Sequence, residues 1–306
     1  MVARAREYNG HDVYLESILV FITNGIGRDL MGAPLLNIRA KDYVVRTECK
    51  AQFQLNLRPS QVNLFASKSH AKTHIKIEAK TISTLTHRLY AEQKKSLLIV
   101  LQGMDTSGKD SATRALFSRT PPLNLRVENF KKPNARELSH DYLWRVHNVC
   151  PTRGNIAVFN RSHYEDVLVV KVHKLISTKF VNKRYQQINE FEDHLTQNGT
   201  VILKFMLNMS ANTQKTRLEE RLTNPSKYWK FNPGDLEDRL MWKQYMKAYE
   251  IMIKRTSTKH APWHVIPSDD RKTRNAIITS IVRKRLEKMA PKYPDNGYRL
   301  GDFEIK

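Results

Sequence analysis

The chain has 306 residues, enough for one large α/β domain with appendages or two small domains, and its 40% hydrophobic content excludes a disordered basic tail. Lys and Arg total 52 against 30 Asp and Glu, a net charge of +22, which repels itself unless anions neutralise it, so nucleic acid, an acidic membrane or a phosphate polymer is the expected partner. Two cysteines, Cys49 and Cys150, without zinc-ligand spacing exclude a disulfide framework and fit a reducing compartment.

Residues 1–35 show no strong periodicity, and 1–36 read as an N-terminal extension of unknown role. The apolar run Ile18–Ile22 is far shorter than the about 20 residues of a membrane span. Glu7, Asp12 and Glu16 precede it, which argues against a secretory signal, so a soluble, cytoplasmic protein is expected. Residues 37–290 are expected to form one domain, with 291–306 as a tail. The pattern predicts a helix over Ile77–Gln93, with Ile82, Leu85 and Leu89 on one face. Leu97–Leu101 is a continuous apolar run suited to a strand buried on both faces, and similar runs follow at Leu125–Phe130, Ile156–Phe159, Val201–Leu207 and Trp263–Pro267. Helical segments are expected between them, at His140–Cys150 and at Lys183–Gln197. Strands alternating with helices predict a mostly parallel five-stranded sheet covered on both faces, a three-layer α/β/α fold. Ligands then bind at the carboxyl ends of the strands.

At the end of the first such strand stands Gly103-Met104-Asp105-Thr106-Ser107-Gly108-Lys109-Asp110-Ser111, with a helix expected from Asp110. The spacing from Gly103 to Gly108-Lys109 is that of a P-loop. Its glycines let backbone N–H groups turn inward around phosphate oxygens, and the helix N-terminus favours anions. Lys109 adds a mobile point charge. Asp110 stands where a P-loop has the Ser or Thr that binds Mg²⁺, and Asp105 is an alternative oxygen ligand; a Gly-containing turn with no ligand is the competing explanation.

The strand Ile156–Phe159 runs into Asn160-Arg161-Ser162-His163-Tyr164-Glu165-Asp166. P-loop enzymes need an acid at such a strand end to organise Mg²⁺, and Glu165 and Asp166 are available, although Asn-Arg-Ser alone could be a helix cap. Further on, Ser210 is a plausible cap for a helix that Asn224-Pro225 stops. Arg217 and Arg221 share one face of it, and Lys227 and Lys230 follow. A second helix is expected after Asp235, with Leu236, Leu240, Tyr245 and Ile251 among its apolar positions. An exposed helix paired through Glu219 and Glu220 is the alternative.

Taken together, these blocks resemble the family-2 polyphosphate kinases, most closely the subgroup that accepts nucleoside monophosphates as well as diphosphates. The resemblance runs through Leu89-Tyr90-Ala91-Glu92, Leu97–Asp110, Asn129-Phe130-Lys131 and His140-Asp141-Tyr142-Leu143-Trp144-Arg145. It continues through Phe159–Val167, Asn224–Phe231 and Ala261-Pro262-Trp263, about two-thirds of the chain. Ser111 departs from a common Gly and His163 from a usual Tyr or Trp. The resemblance implies a thymidylate-kinase-like P-loop kinase fold with a helical lid over about 210–235. It also implies Mg²⁺, or Mn²⁺ in its place, and a homo-oligomer, a dimer or tetramer. The implied reaction is phosphoryl transfer between polyphosphate and AMP, ADP or GDP without a covalent intermediate. Asp105, Lys109, Arg161 and Glu165 would be catalytic, and Asp105, Glu165 and Asp166 would hold the metal. Gly103, Met104, Thr106, Ser107, Gly108, Asp110, Ser111, Lys131, Arg217, Arg221 and Lys230 would bind phosphates; Asp141, Arg145 and Asn160 would belong to the nucleotide side. Two rivals are an ATP-dependent nucleoside monophosphate kinase and a nucleic-acid binder without catalysis.

Overall fold

The computed structural model describes residues 27–28, 34–299 and 301–304. The chain divides into two compact units, Met1–Ile38 and Arg39–Lys306. Of the first, a two-residue antiparallel ladder pairs Gly27–Arg28 with Pro34–Leu35; the Ile18–Ile22 run and most of the expected extension lie outside the described residues.

The second unit is built on five parallel strands. β1 (Ser96–Gln102), β2 (Leu125–Asn129), β3 (Ile156–Asn160), β4 (Thr200–Asn208) and β5 (Trp263–Pro267) lie in the order β2-β3-β1-β4-β5. β1 is central, and all seven of its residues are buried, as its unbroken apolar run requires when helices cover both faces. β2 differs from expectation. It is one of the two edge strands, with Arg126, Val127 and Asn129 exposed, whereas β5 at the other edge is fully buried.

On one side of the sheet α1 (Lys68–Glu92) and α2 (Lys109–Leu116) pack against α10 (Arg271–Met289). On the other, α5 (Glu165–Val172), α6 (Thr178–Gln197) and α9 (Trp242–Thr256) pack together. α1 begins before the expected Ile77 because the Ser67 side chain accepts from the His70 amide at 3.1 Å and caps it. Ile82, Leu85 and Leu89 are buried on its inner face. The segment expected to be helical over His140–Cys150 is helical only at α4 (Trp144–His147), after the one-turn α3 (Ala135–Leu138). There Asp141 Oδ1 accepts from the Leu143 amide at 2.9 Å and holds a turn. No described helix is long and apolar enough to cross a membrane.

The second expected lid helix is two helices. α7 (Ala211–Thr223) is capped by Ser210, whose hydroxyl accepts from the Thr213 amide at 3.1 Å. A 3-10 turn over Pro225–Lys230 leads to α8 (Gly234–Leu240), which breaks at Met241 before α9. Leu236 and Leu240 are consequently exposed, and Tyr245 alone of the early apolar positions is buried.

Candidate active site

The carboxyl ends of β1 and β3, the N-terminus of α2 and the lid enclose a cavity of about 730 Å³. β1 delivers the chain into the 103–108 loop, whose shape depends on two glycines. Gly103 and Gly108 have φ of +149° and +98°, and at Gly108 a Cβ would lie 2.2 Å from Arg274 Nη1. Lys109 opens α2 and folds back over the loop, donating to the Gly103 carbonyl at 2.8 Å and the Met104 carbonyl at 3.3 Å. Burial pushes its ammonium pKa down, while Asp105 opposes the shift. Thr106 and Arg161 also sit at positive φ, +67° and +61°; such non-glycine strain clusters at functional sites.

Asp105 pairs with the guanidinium of Arg161. Burial alone would raise its carboxyl, but Lys109 and Arg161 together hold it below the usual range. Glu165, at the start of α5, has its pKa raised by burial against the pull of Arg161 and Lys109. Glu165 is therefore close to both cations without lining the cavity. Among the described residues, no three His, Cys, Asp or Glu side chains are grouped to hold a metal by themselves. A Mg²⁺ ion takes one or two carboxylates and completes its shell with water and phosphate. Asp105, held ionised and lining the cavity, fits that donor set, and Glu165 is near enough to the same two cations to reach such an ion through water.

Of the expected phosphate ligands, Thr106, Gly108, Asp110, Ser111, Lys131, Arg217, Arg221 and Lys230 line the cavity. Gly103, Met104 and Ser107 form the floor of the loop. The Ser107 hydroxyl is buried without a hydrogen-bond partner. Asn160 also lines the cavity and donates to Asp110 Oδ1 at 2.7 Å, so Asp110 ties the first turn of α2 to the end of β3.

Three expected site residues point elsewhere. Asp166, expected as a metal ligand, lies 3.4 Å from Arg184 and 3.7 Å from Arg145 and does not line the cavity. Arg145, expected on the acceptor phosphate, is 8% exposed, donates to the Lys131 carbonyl at 2.9 Å and lies over the Phe130 ring. Its contacts position the Lys131 backbone. Asp141 caps its turn and does not line the cavity. His163, which departs from the family's usual Tyr or Trp, is buried in the core, 3.3 Å from Glu192. Glu192 in turn binds buried Lys204 of β4 at 2.6 Å.

Three cavity residues escaped the sequence reading, Arg114 of α2 and Arg271 and Arg274 of α10. Arg274 is fully buried, donates to the Ser107 carbonyl at 2.9 Å and otherwise bonds Asn275. Burial, with Arg217 and Arg271 nearby, pushes its pKa down to about 9. No motif announces it, because α10 is buried on so many positions, including Ala276–Val282 without a break, that it lacks an amphipathic stripe. The cavity as a whole is lined by ten Lys and Arg residues and three acids, Asp105, Asp110 and Glu220. Such a wall attracts and holds a polyanion.

The sequence matches the family described as Polyphosphate kinase 2 over residues 65–294. It is 44% identical to the AMP/ADP-polyphosphate phosphotransferase of Meiothermus ruber over 251 residues, 81% of this chain and 94% of that one. It is 38% identical to the ADP-polyphosphate phosphotransferase of Rhodopseudomonas palustris, over 78% of this chain and 86% of the relative. Among solved structures, the polyphosphate kinase 2 of Arthrobacter aurescens TC1 superimposes with a TM-score of 0.81 at 34% identity, covering 85% of this chain and 93% of that one.

Proposed function

Because the chain belongs to the polyphosphate kinase 2 family, we propose that it transfers phosphoryl groups between inorganic polyphosphate and AMP or ADP. The observation that carries this reading is the cavity wall, ten cations against three acids around a P-loop. One nucleotide needs fewer charges than that; a phosphate chain meeting a nucleotide phosphate needs many. A relative named as a GDP-polyphosphate phosphotransferase in Corynebacterium glutamicum extends the candidate acceptors to guanine nucleotides. The ATP-dependent monophosphate kinase is not favoured.

Phosphoryl transfer asks the protein for position and charge rather than for a nucleophile. The acceptor phosphate oxygen is already ionised at neutral pH, so no general base is required. Lys109 would leave its loop carbonyls for phosphate oxygens, while the amides of 106–109 cradle the same group. Arg161 and Arg221 stand across the cavity to offset charge on the equatorial oxygens. Asp105 and, through water, Glu165 would hold Mg²⁺, which supplies charge neutralisation of the phosphates when bound. Homo-oligomerisation, which the family resemblance implies, and a cytoplasmic location, expected from the N-terminal sequence and the cysteine content, belong to the same proposal.

Supplying AMP and ADP separately with polyphosphate or with ATP, in the presence of Mg²⁺, tests the reading. Nucleotide phosphorylation from polyphosphate is expected. Product from ATP alone would overturn the proposal.

A further inference from the structure

Gly108 apart, the cavity is lined by polar and charged side chains with two exceptions, the aromatic rings of Phe130 and Trp229. Phe130 is 9% exposed, and its ring is already occupied. It meets Phe159 edge to face, centroids 5.0 Å apart, and the Arg145 guanidinium lies 5.4 Å from its centroid. Trp229, on the 3-10 turn of the lid, is 78% exposed. Of the lining side chains it alone offers a large apolar face to a ligand.

An exposed indole costs hydration free energy, and a loose one would lose rotamer freedom each time a ligand met it. Trp229 is held in place instead. Its Nε1–H donates to the Ser226 carbonyl at 3.1 Å, and the Asn224 side chain accepts from the Ser226 amide at 3.0 Å. Arg221 of α7 donates to the Lys230 carbonyl at 2.9 Å and anchors the far end of the turn. The Lys230 ammonium lies 4.9 Å from the indole centroid and lines the same cavity. A π-face and a cation therefore stand side by side, as a base and its phosphates do in a nucleotide. Polyphosphate, which presents only anionic oxygens, has no use for the ring. Of the residues expected on the nucleotide side, Asp141 and Arg145 do not line the cavity, and Asn160 is bonded to Asp110, so none of the three offers the base a surface.

We propose that Trp229 is the platform for the nucleobase, its indole stacking on the base of the nucleotide substrate at the mouth of the cavity. The inference rests on the polyphosphate-kinase reading above and deepens it, giving the base a contact that the phosphate ligands do not supply. Stacking asks for a π-face and no hydrogen-bond pattern, so the ring takes adenine and guanine alike.

The test is calorimetric titration of the unaltered protein, Trp229→Ala and Trp229→Phe with ADP and with pyrophosphate, which carries linked phosphates and no base. Kd for ADP is expected to rise roughly 10- to 100-fold in Trp229→Ala, the order seen when an aromatic partner of a base is truncated. Trp229→Phe, which keeps a π-face, is expected to recover most of that loss. Kd for pyrophosphate is expected to be the same in all three proteins. Equal losses for ADP and pyrophosphate would overturn the proposal, since the ring would then serve Lys230 and the phosphates; an unchanged Kd for ADP would overturn it outright. If Trp229→Ala lowers the melting temperature, Trp229→Leu decides, being bulky without a π-face: ADP affinity matching that of Trp229→Phe would sink the stacking. Indole fluorescence gives a second readout. ADP and GDP are expected to quench it in the unaltered protein and to lose that effect in Trp229→Phe; quenching by ADP and not GDP would overturn a contact made through the face alone. Absence of polyphosphate-dependent activity in a protein whose Trp229 still responds to ADP would instead overturn the functional reading.

Discussion

Gly108 and Arg274 define one another. The glycine's φ of +98° is strained for any other residue, and the guanidinium occupies the space where a Cβ would go. Gly108→Ala therefore carries a backbone penalty of about 1–3 kcal/mol and must also displace a buried cation. The expected outcome is a melting temperature lower by on the order of 5 °C together with loss of polyphosphate turnover, checked by calorimetry and a coupled ATP assay; a silent substitution would mean that Arg274 moves away freely. Lys109→Ala removes a point charge from the loop, and a fall in kcat of roughly 100- to 1000-fold with an unchanged melt is expected. Near-normal turnover would show that Lys109 serves the loop carbonyls alone. These residues differ in how they can be read. Gly103, Asp105, Gly108 and Lys109 lie within one loop, so their spacing alone brings them together. Arg274 reaches the same loop from 166 residues away, and Arg145 is drawn from the expected phosphate contact by Lys131 and Phe130; neither partnership leaves a local trace.

At the scale of elements, the strands were legible because burial on both faces demands apolar runs; β1 meets that demand without a break, and β4 does so with one interruption, the buried Lys204 that Glu192 pairs. The edge strand β2 was legible as a strand but not as an edge, since strand order depends on crossovers rather than composition. The lid was legible as far as the Ser210 cap and the Asn224-Pro225 stop. The break at Met241 was not, because Leu236 and Leu240 continue the helical spacing that solvent then exposes. Arg217 makes α7 a mechanical part of the P-loop, bonding the loop after β1 and the loop after β5 at once. Arg217→Ala is accordingly expected to loosen all three segments. Hydrogen exchange should quicken at 104–110 and 266–270 as well as in α7, and polyphosphate turnover should fall. Exchange confined to α7 would show that the helix is hung from the sheet independently of this residue.

Across the whole molecule, acid and salt probe separate properties. His264 of β5 is buried, which pushes its pKa down to about 4 from 6.5, only partly offset by its contact with the Lys204 carbonyl. Between those values the unfolded chain binds the proton and the folded chain does not, so this group's linkage lowers stability as pH falls through that window. The gap in melting temperature between the unaltered protein and His264→Phe should therefore narrow from pH 6.5 toward 4.5; parallel curves would contradict it. Salt addresses the charge of +22. Exposed cations act over about 10 Å at 0.1 M salt and less beyond it, and a linear polyanion that releases many counterions on binding responds to salt in proportion to the contacts made. ADP can engage a few of the ten cavity cations, whereas a long polyphosphate can engage most of them and continue along the basic surface. Raising salt from ~50 to ~200 mM should then raise KM for long polyphosphate far more steeply than KM for ADP, with short chains in between. Equal slopes for the three ligands would mean that the chain is held at the transfer point alone, and that the remaining charge serves something other than this substrate.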